Sequence, residues 1–116
     1  MELFSEYKMK NGSVLIIVNG YAGESDFYLM HDIVNELLKP EDSGFSVDSM
    51  CVGGYFNKDG LSIRSSSESP YDYCSFFYNP KNMTAEEEIK VKKWITTVIT
   101  ELRSRKEPLE AVNKDW

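Results

Sequence analysis

The sequence predicts an α+β fold: a mostly antiparallel sheet, in the order ββ-α-βββ-α, with two helices packed on one face. Three observations carry this. An alternating segment, Leu3 to Met9, passes through Asn11-Gly12 into a β-branched run, Ser13 to Asn19. Two later stretches repeat apolar residues at three- and four-residue steps, the period of an amphipathic helix. Between and after them lie short β-rich runs punctuated by Lys58-Asp59-Gly60 and Ser69-Pro70.

Leu3, Ser5, Tyr7 and Met9 share one face of the first strand, with Phe4, Glu6 and Lys8 on the other. Asn-Gly tolerates the positive φ of a tight type I′ turn and so marks a hairpin. Ser13 to Asn19 then reads as a strand either buried on both faces or central in its sheet. Gly20-Tyr21-Ala22-Gly23 interrupts it, and Ser25 is placed to cap a helix. Phe27, Met30, Ile33, Val34, Leu37 and Leu38 form that helix's apolar stripe. His31, Asp32, Asn35, Glu36 and Lys39 fall on the opposite face, and Pro40 ends the helix.

Phe45 and Val47 alternate on one parity, Met50 and Val52 on the other, which calls for a β-bulge near Ser49 or a break at Gly53-Gly54. A turn at Lys58-Asp59-Gly60 returns the chain as Leu61 to Arg64. Ser65 to Pro70 reads as a mobile polar loop, and Tyr71 to Tyr78 as a final aromatic strand. Tyr71, Tyr73 and Phe77 share one face of it, and Asp72, Cys74, Phe76 and Tyr78 the other. Thr84-Ala85-Glu86-Glu87 is a capping box. It opens a helix over 85–105 whose core stripe is Val91, Trp94, Ile95, Val98, Ile99 and Leu102. Residues 1–116 are read as one domain, with 106–116 a loosely packed tail.

Charge bounds the function. The chain carries 19 acidic and 13 basic residues, a net charge of −6. Like-charge repulsion makes nucleic acid and anionic membranes poor partners, and a basic protein a good one. The single histidine, His31, has no nucleophile beside it in sequence. His31, Cys51 and Cys74 show no metal-ligand spacing, so neither metal nor cofactor is expected. Gly20 to Gly23 lacks a phosphate-loop signature, and Glu24 and Asp26 would repel an anion there. Met1 to Glu6 carries no basic region of the kind that opens a signal peptide, so a cytoplasmic protein with free thiols is expected.

These features together lead to a non-enzymatic, acidic binding module that neutralises a basic partner. Its concrete form is an immunity protein or antitoxin against a nuclease-type toxin. The acids in turns (Glu24, Asp26, Glu41, Asp42, Asp48, Asp59, Glu68 and Asp72) are expected to gather on one negative edge. Asp59, Glu68, Tyr71, Asp72 and Tyr73 are the expected contact residues. The alternatives are a small enzyme or ligand binder with a pocket near His31, and a phage-type inhibitor of a host protein. An exposed strand edge, Met1 to Met9 or Tyr71 to Tyr78, would also allow a homodimer.

Overall fold

Six strands and two helices are arranged in a computed structural model that describes residues 3–47, 51–68 and 73–108. β1 (Phe4–Lys8) and β2 (Val14–Ala22) precede α1 (Gly23–Ile33), which continues as one π-helical turn, Val34–Leu38. β3 (Asp42–Val47), β4 (Cys51–Lys58), β5 (Leu61–Glu68) and β6 (Tyr73–Tyr78) follow, and α2 (Ala85–Arg105) closes the fold. All pairings are antiparallel, in the spatial order β1-β2-β6-β5-β4-β3. The expected α+β architecture is therefore present, with one strand more than the sequence suggested.

That extra strand explains the parity change after Val47. Val47 stands opposite Val52 in an antiparallel pair, so Phe45 and Val52 belong to two neighbouring strands. The bulge expected near Ser49 falls outside the described residues, and Gly53-Gly54 lies inside β4 rather than breaking it.

The two hairpin turns exchange types. Met9 and Ser13 flank Lys10-Asn11-Gly12, with Met9 N bonded to Ser13 O and Gly12 N to Met9 O. Only Gly12 of that loop has positive φ, at +92°. This is a three-residue loop ending in a left-handed glycine rather than the tight Asn-Gly turn. The two-residue turn is instead Asp59-Gly60, with φ of +53° and +78°. It joins Lys58 directly to Leu61, its register partner.

The sheet buries one face. Val14, Ile16 and Val18 of β2, Val52 and Phe56 of β4, Leu61 and Ile63 of β5, and Cys74, Phe76 and Tyr78 of β6 meet the helices. Val91, Ile95, Val98, Ile99 and Leu102 of α2 complete the core. Removing each such side chain from water contributes about 2 kcal/mol. The predicted capping box forms: Thr84 Oγ1 accepts from Glu87 N, and Glu87 Oε1 accepts from Thr84 N.

Three sequence expectations fail under α1. Ser25 is not the cap; Ala22 holds that position, and Asp26 reaches back to accept the Ala22 N–H. His31 is on the packed face, 1% exposed, whereas Leu37 is 43% exposed. The expected polar loop at Ser65 to Pro70 begins instead as strand, with Ser65 and Ser67 each 2% exposed beneath α1. These serines are tolerated because their hydroxyls are paired: Ser65 with His31, and Ser67 with the Gly23 N–H. A buried hydroxyl left unpaired would cost about 1–3 kcal/mol.

Candidate functional site

Both helices lie on one side of the sheet, so its other face carries the candidate site. There the register aligns one residue from each strand in a single row: Gly44, Tyr55, Arg64, Phe77, Leu15 and Tyr7. The next row is Ser46, Gly53, Ser66, Ser75, Ile17 and Ser5. Large side chains in the first row and small ones across the middle of the second make a ridge beside a trough. Tyr7 and Tyr55 remain exposed at the ridge, Arg64 is exposed, and Phe77 is half-buried.

Two clefts flank the ridge and share Arg64 and Phe77. One, of about 420 Å³, runs over Gly53, Gly54 and Ser66. The other, of about 460 Å³, lies towards Ser13, Ser62, Asn79 and Asn82. Tyr55 donates its hydroxyl to Asp42 Oδ2 at 3.2 Å. The Asp42 charge and that hydrogen bond raise the Tyr55 pKa, so the phenol stays protonated.

The expected division of β6 is present. Cys74, Phe76 and Tyr78 are buried against the helices, while Tyr73 and Phe77 alternate to the open face and are half-buried. Of the other expected contact residues, Asp59 occupies the β4–β5 turn and pairs with Lys90 at 3.0 Å. Glu68 ends β5 opposite Cys51. Tyr71 and Asp72 lie outside the described residues.

The turn acids separate into two groups. Glu41, Asp42 and Asp59 gather where β3 begins and β4 turns, and Glu41 Oε1 accepts the Asp59 N–H at 2.6 Å. At the other end of the strands, Asp26 is 1% exposed and salt-bridged to Lys106, whose carbonyl accepts the Tyr21 hydroxyl. Asp26 is thus a fastener between the start of α1 and the end of α2, and not part of an acidic surface. Asp48 lies outside the described residues.

His31 Nε2 lies 2.6 Å from Ser65 Oγ, the spacing of a base and its nucleophile. The surroundings point to packing. The imidazole lies against Phe27 and Phe45, with ring centroids 4.6 and 5.8 Å away. Burial, only partly offset by Asp32, lowers its pKa to about 4, making it a weak base at neutral pH. Ser65 is as deeply buried as its partner.

Cys51 and Cys74 are both free thiols. By strand alternation they belong to opposite faces of the sheet. Burial pushes the Cys74 thiol up to about 12, far from a reactive thiolate. Among the described residues no group of three metal-ligating side chains is assembled, and no helix is long and apolar enough to cross a membrane.

The ridge of Tyr55, Arg64, Phe77 and Tyr7 is the feature that sequence reasoning missed. Its signal was present in the alternation of each strand, but joining the strands into one row requires their register. Comparisons with protein-family models, with curated proteins and with solved structures find nothing that matches this chain.

Proposed function

We propose that this is a cytoplasmic protein-binding module that neutralises a basic protein, in the manner of an immunity protein or antitoxin bound to a nuclease-type toxin. The observation that carries this reading is the uncovered sheet face. In a chain of net charge −6, it keeps Tyr7 and Tyr55 exposed in one row and sets Asp42 on the Tyr55 hydroxyl. Tyrosine suits such a surface, because it offers a rigid apolar body and a polar tip at small entropic cost.

Two parts act in sequence. Long-range attraction from the net negative charge orients a cationic partner before contact, with Glu41 and Asp42 the acids nearest the Tyr55 end of the ridge. The ridge then supplies the short-range contact area, with Tyr55 and Phe77 as central anchors and Tyr7 at the β1 edge. To the expected contact residues Asp59, Glu68, Tyr71, Asp72 and Tyr73 this reading adds Tyr7, Asp42, Tyr55 and Phe77.

Capture of the partner from the native host, followed by titration of the purified pair, tests the reading. A basic partner whose affinity falls steeply between ~50 and ~300 mM salt is expected, since salt screens exposed charge. An acidic partner, or an affinity indifferent to salt, would overturn it.

A further inference from the structure

A second binding feature lies on the same face, and its chemistry is opposite to that of the acidic corner. Arg64 is an exposed cation in the middle of the open face, flanked across the strands by Tyr55 and Phe77. Among the described residues it forms no salt bridge, and what sets it apart from the other cations without one, such as Lys8, Lys39 and Lys81, is its place beside the cleft in the middle of the sheet. It borders the 460 Å³ cleft together with Ser13, Leu61, Phe77, Asn79 and Asn82. A volume of a few hundred Å³ is the usual size of a small-ligand site, and the lining here is rich in polar side chains.

We propose that this cleft is a receptor site for a small carboxylate-bearing ligand, with Arg64 holding the carboxylate. The planar guanidinium presents paired N–H donors that match the two oxygens of a carboxylate. The other polar groups at the cleft are neutral. Asn79 accepts the Lys81 N–H through its oxygen, which leaves its NH₂ group as a donor. Ser62 spends its hydroxyl proton on Asn57 Oδ1, while Ser13 and Asn82 add further neutral polar groups to the lining. Phe77 and Met83 supply apolar surface for the rest of the ligand.

One cation among neutral donors fits a monoanion. A phosphate dianion would require more positive charge, and the −6 net charge opposes it. The site shares Arg64 and Phe77 with the ridge of the proposed protein interface, so a ligand there would compete with the partner. It is tested on the isolated chain, and its failure leaves the protein-partner reading standing.

The test is a titration of the full chain with 3-phenylpropionate, followed by backbone amide chemical shifts. The expected result is saturable shifts confined to Ser13, Leu61 to Arg64 and Phe77 to Met83. The neutral 3-phenylpropanamide and inorganic phosphate should each bind at least roughly tenfold more weakly, the cost of losing a charge-assisted pair. Arg64→Gln should abolish the preference for acid over amide, whereas Arg64→Lys should retain part of it. Both variants should fold, since Arg64 is exposed, and an unchanged circular dichroism spectrum verifies this. Equal binding of acid and amide, undiminished binding to Arg64→Gln, tighter binding of phosphate, or no saturable shift at millimolar probe would each overturn the proposal.

Discussion

The His31 imidazole occupies the space that Gly54 leaves by having no side chain: a Cβ on Gly54 would lie 2.9 Å from His31 Nε2. It would also lie 2.8 Å from the Gly44 carbonyl on the adjacent strand, a backbone atom that cannot swing aside. Gly54→Ala is therefore expected to lower stability by about 1–3 kcal/mol, the range for overpacking a filled core. Gly53→Ala is the matched control. Its Cβ would meet only the Ser65 carbonyl, at 3.9 Å, so it should be neutral or slightly stabilising. Urea denaturation of the two variants measures the contrast; equal midpoints would refute this view of the α1–sheet contact.

The same histidine makes stability depend on pH. Its folded pKa is about 4 against an ordinary 6.5, with burial as the main cause. Between those values the unfolded chain binds a proton that the folded chain does not, so stability falls as pH falls through that window and levels off below it. The loss attributable to this group is roughly 3 kcal/mol across the window. His31→Gln keeps a hydrogen-bonding side chain but cannot titrate there. The difference in unfolding free energy between wild type and His31→Gln should therefore shrink from pH 7 to pH 4. A constant difference would mean that the folded and unfolded chains bind the His31 proton alike, so that burial does not lower its pKa.

The cysteines give a third expectation. Cys74 is fully buried and its thiol is pushed up to about 12, whereas Cys51 is half-buried in β4. A thiol reagent applied to the native protein should modify Cys51 and leave Cys74 untouched until denaturant is added. Rapid modification of both would show that the α1–β6 contact opens far more often than its packing implies.

Much of the fold was legible because its signals are local. The Thr84–Glu87 box and the 85–105 stripe involve neighbours along one helix, and the two faces of β6 follow from alternation alone. What was missed depends on partners distant in the chain. Ser65 and Ser67 read as loop because a hydroxyl is polar, and the groups that satisfy them, His31 and the Gly23 N–H, lie 34 and 44 residues away. His31 read as a surface residue for the same reason; only the absent side chain at Gly54 gives it a place to pack. Of the site, aromatics on the open face of β6 were expected from alternation, but which of its two faces is open was not legible. Nor was the alignment of Tyr7, Tyr55 and Arg64 with Phe77, because cross-strand register is set by turn lengths that the sequence left open.

The most direct measurement of the central claim is hydrogen exchange on the complex with the captured basic partner, run beside capture by a Tyr7→Ser/Tyr55→Ser double variant. The account predicts new protection at Tyr7, Leu15, Tyr55, Arg64 and Phe77 with the exposed face of α2 unchanged, and a double variant that folds but loses affinity at least roughly tenfold. Protection confined to the helices, with full affinity in the double variant, would contradict it.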